Sequence, residues 1–486
     1  MSESVIGIDL GTSAVKAVAL SKDGKVTTAS APLTILTAQS GYSEEQPAEW
    51  VNQTVEALHQ LVDVNLGTVR AVSYSGQMHG LVLLDAAGKV LRPAILWNDT
   101  RSTAQVAQIM ADFGEDFVAI TGNRPVEGYV LPKLMWVKEH EPTVWTKIAT
   151  VMLPKDYVRY CMTGVIGTER SDATGTGLYD IHAGGWSERI ATAYDIPLGW
   201  LPPITESTTV VGQVTSSFAN TSGLAKRARV AAGAADNAAG AVGAGITTST
   251  QLMASIGTSG VILKAEGRHI PASGGALQGE CAAVPGTYYS MGVTLAAGHS
   301  LAWFRDTFWA GHAFDDLTAA ATKSPIGAHG VIYTPYLTGE RTPYFDAEVR
   351  ASFSGISDLV DLSDMTRAVM EGITYSLNDV IMLYRKFGGD LQQVIAIGGG
   401  AKSAFWAQMQ ADIFNLPVMT LVHDEGPSLG AAIIASVAAG WFADVPAATK
   451  TLVVVADTYL PRPEAVSEYQ AVYSHYQLVY PATRVL

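Results

Sequence analysis

The stretch at residues 6–20, IGIDLGTSAVKAVAL, constrains this chain more than any other. An apolar run ends in Asp9, a Gly-Thr-Ser turn follows, and a second apolar run begins around Ala14. Two short runs joined at a glycine predict a β-hairpin, and Gly11 suits a turn with φ > 0 or a close ligand approach. Thr12 and Ser13 add hydroxyls and successive backbone N–H groups, a nest for phosphate oxygens. Asp9 falls at the mouth of that nest. A carboxylate there repels phosphate unless a cation stands between them, which points to Mg²⁺. Taken alone, the same residues read equally as an ordinary turn facing water. A second copy shifts the balance. Residues 254–264, ASIGTSGVILK, repeat the pattern about half the chain away. Two such turns, one per half, predict a duplicated domain that clamps phosphate between its copies. The second copy has Ser255 and Ile256 where the first has Asp9 and Leu10, so it offers a grip for phosphate but no metal carboxylate.

A chain of 486 residues exceeds one ordinary core, and two domains follow. A net charge of −14 argues against broad nucleic-acid binding, although local N–H groups and a metal still accommodate a nucleotide. Cys161 and Cys281 are the only cysteines, so no disulfide scaffold is implied and a cytoplasmic setting suits the chain. No basic region precedes an apolar segment at the N-terminus, so no signal peptide is expected. The run at 230–245 is too short and too polar for a membrane span.

Along the chain, 26–36 reads as a third strand, 41–47 as a polar loop, and 47–64 as a helix with Trp50, Val51, Val55, Leu58 and Leu61 as its stripe. A strand at 69–74 runs into Ser75-Gly76-Gln77-Met78-His79-Gly80. Its end makes Gln77, Met78 and His79 candidates for reading a polar small molecule. Spacing alone favours reading His79 as a satisfied structural histidine and Met78 as core filling. Asn98 to Arg101 are expected to present polar groups after another strand, with Trp97 either stacking on a sugar or packing. Helices are expected at 131–139 and 155–162, and 171–176 reads as a polar turn over a cleft. Asp236 is the only acid between Glu206 and Glu266 and stands in a wall of small residues. It reads as a general base, a metal ligand or the cap of a helix over 237–244. Gly298 is expected inside a helix at 294–304, where it marks a close approach. A long helix is predicted at 363–383, capped by Asp361 or Ser363. Residues 394–403, VIAIGGGAKS, read as strand, triple glycine and helix. This is neither the G-x-G-x-x-G fingerprint nor a P-loop. A small-residue helix at 426–439 and a surface helix at 459–486 complete the reading.

Assembled in one order, these motifs resemble the FGGY family of carbohydrate kinases over nearly the whole chain. The matching stretches include IGIDLGTSAVK, SGQMHG, ILWNDTR, LPKDYVRYCMTG, SDATGT, AGAADNAAGAVGAG, IGTSG, PYLTGERTP and IGGGAKS. The Met78-His79 pair is most similar to the subgroup acting on D-xylulose. The resemblance implies an α/β fold of two actin-like ATPase (ribonuclease H-like) domains, 1–243 and 244–486, around a central cleft. It implies ATP-dependent phosphorylation of a ketose at O5, with Asp236 as base and Asn237 beside it, and with Gln77, Met78 and His79 on the sugar. By the same resemblance Asp9 helps hold Mg²⁺, while Thr12, Ser13, Thr258 and Ser259 contact the phosphates of ATP. Gly298 lies near the nucleotide, and Gly399, Gly400 and Ala401 line its adenosine pocket. A homodimer is implied as well. Ala234 and Ala235 stand where glycine is expected beside the base, so D-ribulose, L-xylulose or 1-deoxy-D-xylulose remain alternative sugars. A non-enzymatic sensor on the same scaffold is a second alternative.

Overall fold

The computed structural model describes residues 3–62, 66–269 and 273–484. Two seven-stranded sheets organise them. The first comprises β1 (Glu3–Leu10), β2 (Ala14–Ser21), β3 (Val26–Pro32), β4 (Thr68–Gly76), β5 (Val210–Gln213), β6 (Arg229–Ala231) and the two-residue β7 (Ala234–Ala235). Its order is β5-β6-β4-β1-β2-β3, with β7 also pairing with β4. The second comprises β8 (Gln251–Ile256), β9 (Gly260–Gly267), β10 (Gln278–Cys281), β11 (Tyr288–Thr294), β12 (Gln393–Gly398), β13 (Val418–Leu421) and β14 (Val455–Tyr459), in the order β10-β11-β9-β8-β12-β13-β14. Each sheet begins with an antiparallel meander, β1-β2-β3 or β8-β9-β11, and continues through parallel strands beside its first member. The duplication expected from the paired Gly-Thr-Ser turns is therefore a duplication of topology.

Both faces of β1 are covered, so its residues are apolar without alternation. Ile6, Ile8 and Leu10 pack into a cluster with Trp50, Leu58 and Leu61 of helix α1 (Pro47–Val62). The remainder of the helix expected to Val64 lies outside the described residues. Val5 enters a different cluster, which also holds Met253 and Ile395 of the second sheet. Between the sheets lie α2 (Asp236–Gly243) and a helix from the other end of the chain, Pro427–Ala438. A Cβ at Gly7 would overlap the Ser428 carbonyl, and one at Gly430 would overlap that of Ala239. Glycine at these two positions lets the helix lie directly on β1 and on α2.

Around the second sheet run α3 (Gly298–Phe308), α4 (Leu362–Lys386), α5 (Ala404–Phe414), the interlayer helix just described, now α6 (Pro427–Ala438), and α7 (Pro463–Thr483). Asp361 caps α4, accepting from the N–H groups of Ser363 and Asp364, while the Asp364 side chain bonds back. Several expectations change. Gly11 has no positive φ. Gly298 opens its helix rather than interrupting it. Asp236 is the first residue of α2, not its cap. The stretch at 171–176 is a buried helical turn over Arg170–Thr174, closed by the Glu169 carboxylate. The C-terminal helix starts at Pro463, and it buries Tyr469, Tyr473 and Tyr476 rather than lying on the surface. Residues 485 and 486 of that expected helix lie outside the described residues. Among the described residues, no helix is long and apolar enough to cross a membrane.

Candidate active site

The β1–β2 hairpin delivers Asp9 to the floor of the central cleft. The side chain is buried, and its Oδ1 has no partner. Burial pushes the carboxyl up to about 6, against the opposing pull of the Ser75 hydroxyl and the Lys16 ammonium. At the tip, Thr12 Oγ1 donates to Gln77 Oε1 at 3.1 Å and accepts from Trp97 Nε1 at 3.0 Å. Its hydroxyl is thereby engaged, which leaves its N–H and the exposed Ser13 to face a ligand.

Asp236 arrives by a different route. After β6 the chain turns at Gly233, whose φ is 89°, and re-enters the sheet as β7 beside β4. A Cβ at Gly233 would overlap the Tyr74 carbonyl, so only glycine permits the step. Asp236 then starts α2. Its Oδ1 accepts from Asn237 N at 2.6 Å and from Asn237 Nδ2 at 3.1 Å. Burial first, and then the Asp9 charge, push Asp236 up to about 7. The two carboxylates thus stand within reach of each other's field.

Gln77, Met78 and His79 continue β4 beside this pair. Asn237 Nδ2 reaches Met78 Sδ at 3.7 Å, which joins wall and base into one surface. His79 occupies the left-handed region at φ 69°, where a non-glycine residue is strained. Lys133 Nζ holds it by donating to its carbonyl at 3.1 Å, while His79 Nδ1 donates to Gly175 O at 2.6 Å. Burial, the Lys133 charge and the Arg341 charge push the imidazole down to about 3. It is therefore neutral, and with the proton on Nδ1 its Nε2 is an acceptor. Gln77 is buried, and its Nε2 donates to Glu45 Oε2 at 2.9 Å. Its amide braces Thr12 against Glu45.

Across the cleft, a cavity of about 550 Å³ is lined by Gly257, Thr258, Gly298, Gly399, Gly400 and Trp406, among others. Gly298 N donates to Gly257 O at 2.8 Å, so the second hairpin and α3 meet there without an intervening side chain. Gly398, at φ 77°, starts the glycine turn, and its N–H is held by Asp424 Oδ2 at 2.6 Å. Ser259 and Ala401 do not border this cavity; Ala401 packs against the core of the second sheet.

Among the described residues, no three or more His, Cys, Asp or Glu side chains converge as a metal site. Asp9, with its orphaned buried oxygen, instead fits as a carboxylate ligand of a hard divalent ion. Mg²⁺ is commonly bound by one or two carboxylates, with waters and substrate phosphates completing its shell.

Other functional neighbours escape a reading of sequence. Glu45 sits in what reads as a solvated loop, yet it is fully buried and holds Gln77 and Trp50 Nε1. The expectation that Asp99 and Arg101 face a ligand is overturned. Asp99 is buried, accepts from Ser43 N at 2.6 Å and pairs with Arg101, which also pairs with Glu44 and lies 3.7 Å from the Tyr42 ring centroid. Only Trp97, Asn98 and Thr100 of that segment are exposed.

Sequence models for the N-terminal and C-terminal domains of the FGGY family of carbohydrate kinases match residues 4–243 and 252–439. Xylulose kinase of Bacillus subtilis (strain 168) is 45% identical over 99% of this chain and 97% of its own length. Xylulose kinase of Escherichia coli (strain K12) is 38% identical over 89% and 90%. Among solved structures, a ligand-bound xylulose kinase from Lactobacillus acidophilus superposes with a TM-score of 0.93 at 27% identity, covering 99% of this chain and 98% of that one. A gluconate kinase from the same organism superposes equally well, with a TM-score of 0.93 at 26% identity and the same coverage.

Proposed function

This chain belongs to the FGGY family of carbohydrate kinases, and on that premise we propose that it transfers the γ-phosphoryl group of ATP to O5 of D-xylulose, yielding D-xylulose 5-phosphate and ADP. It is an ATP-dependent kinase of a two-domain α/β fold; we read its lobes as actin-like, divided near residues 243 and 244. The observation that carries the proposal is the Asp9–Asp236 pair. The charge of Asp9 acts on Asp236, and Asn237 beside Asp236 touches Met78 of the 77–79 wall.

In this reading the nucleotide occupies the cavity beside Gly298, Gly399 and Gly400, with Thr258 and the N–H groups of both hairpin tips toward its phosphates. Asp9 would hold a Mg²⁺ ion, whose charge would offset that of the phosphates. Asp236 Oδ1 is occupied by Asn237, so Oδ2 is left to take the proton of the sugar's O5 hydroxyl. A carboxylate near pKa 7 matches that task. The neutral His79 offers Nε2 as an acceptor to a sugar hydroxyl, and Met78 shapes the pocket. Xylulose kinase relatives across the full length support the pentulose. A gluconate kinase superposes equally well, so the overall fold does not by itself select the sugar, and we assign the choice to the wall at 77–79.

The test is ATP-dependent phosphorylation of D-xylulose, D-ribulose, L-xylulose and 1-deoxy-D-xylulose. The highest kcat/KM is expected for D-xylulose. A higher value for another sugar moves the assignment to that sugar, and nucleotide binding without phosphorylation of any of them moves it to a carbohydrate outside this set.

A further inference from the structure

We propose that Ser171 and Glu169 act as positioning residues for phosphoryl transfer, fixing the Asp236 carboxylate through the backbone that leads into it. The inference rests on the reading of Asp236 as base.

The geometry begins with an incomplete strand. β7 pairs on one side with β4, Ala234 opposite Ser75 and Ala235 opposite Gly76. Its other side has no strand, because β6 ends at Ala231 and the chain swings out at Gly233. A buried edge N–H must find an acceptor. Ala235 N finds Ser171 Oγ at 2.9 Å. The Ser171 hydroxyl passes its own hydrogen to Glu169, whose two oxygens lie 2.9 and 2.8 Å away. The same carboxylate accepts from Ser171 N at 2.7 Å, Asp172 N at 2.9 Å and Ser207 Oγ at 3.1 Å. Ser207 O in turn accepts from Gly233 N at 3.0 Å. Both turns of the chain that aim Asp236, at Gly233 and at Ala235, therefore hang from one carboxylate.

That carboxylate is completely buried. Lys155 Nζ stands 3.3 Å from it, 2.8 Å from Asp156 and 3.2 Å from Asp172, and all of these side chains are shut off from solvent. Arg159 closes the group by donating to Ala232 O at 3.0 Å. Burying so many charges is costly, and a neutral acceptor could satisfy the same N–H groups more cheaply. What the charges add is stiffness. A chain running from N–H to O–H to carboxylate is charge-assisted, and its bonds polarise one another. Stiffness matters here because a general base misplaced by about 1 Å loses on the order of 100-fold in rate.

The experiment compares Ser171→Ala and Glu169→Gln in the full-length protein, with kcat and both KM values measured alongside Tm. Ser171→Ala is expected to lower kcat by roughly 10- to 100-fold while the KM for MgATP stays within about twofold. Glu169→Gln keeps an acceptor for Ser171 but removes the charge, and a smaller loss of kcat, about fivefold or more, is expected at unchanged nucleotide KM. If Ser171→Ala does not fold, Glu169→Gln decides alone. Wild-type kcat in either folded variant overturns the proposal, as does a change confined to Tm. Failure of the base assignment is separately visible: Asp236→Asn would then keep its turnover, whereas an inactive Asp236→Asn beside a fully active Ser171→Ala removes only the positioning role.

Discussion

The tasks proposed for Asp236 and Asp9 differ as their surroundings differ. Asp236 engages one oxygen with Asn237, whereas Asp9 keeps a buried oxygen with no protein partner. Replacing Asp236 by Asn is expected to lower kcat by roughly 10²- to 10⁴-fold while the Kd for ATP, read by calorimetry, stays within about threefold. Equal losses of affinity and turnover would remove it from the base role. Asp9→Asn is expected to raise the Mg²⁺ concentration for half-maximal turnover by about tenfold or more. It should also stabilise the ligand-free protein. The Asp9 carboxyl is raised from 3.8 to about 6 in the folded state, so its ionisation above about pH 6 opposes folding by on the order of 1–3 kcal/mol. A ligand-free Tm at pH 7.5 that falls in Asp9→Asn would contradict this. The lone acid at 236 and the acid before a Gly-Thr-Ser turn stand out in the sequence, but their residues leave other readings open, and it is the family resemblance that gives them roles. Glu45, Glu169 and Ser171 are not legible. They stand among polar neighbours in stretches that read as polar loop or turn, and their burial is created by segments distant in the chain.

At the level of elements, the hairpins, the capped α4 and the strand–glycine–helix unit at Gln393–Phe414 follow from local pattern alone. The contact between α2 and α6 does not. It joins residues almost two hundred positions apart through backbone approaches that only glycine allows, at Gly430 against Ala239 and at Gly243 against Gly426. Because α2 carries Asp236 at its first position, separating the helices should disturb both stability and catalysis. Gly430→Ala is expected to destabilise by on the order of 1–3 kcal/mol in urea unfolding, with a fall in kcat. Unchanged unfolding would mean that the helices can slide apart without cost. The same logic explains the misreading of Gly298. A glycine amid helix formers reads as an interruption, and only the neighbouring Gly257 carbonyl makes it a necessary first residue.

At the scale of the whole molecule, the lobes are also joined beside the cleft. Asn123 of the first half donates to Gly279 O at 2.8 Å and accepts from Gly279 N at 2.9 Å, completing the edge strand β10 of the second sheet. Next to it Glu280 is fully buried, and burial pushes its carboxyl up to about 8. A carboxyl raised from 4.5 binds its proton more tightly in the folded state. Its contribution is complete below about pH 4.5 and is lost as pH rises through about 8. The Tm of the wild type should therefore decline between pH 6 and pH 9 more steeply than that of Glu280→Gln, which mimics the protonated form. Parallel declines would show that Glu280 does not report on this junction. By itself the sequence determined the β-hairpins with their paired Gly-Thr-Ser turns, the long helices and the two conspicuous acids, because period, turn chemistry and the cost of burying a lone charge act over a few residues. The tertiary structure alone decided which polar groups are spent within the protein and which remain for a ligand. Thr12 and Gln77 are committed to each other, Asp99 and Arg101 turn inward, and Ser171 completes a strand edge, since each outcome depends on the distant segment that meets it.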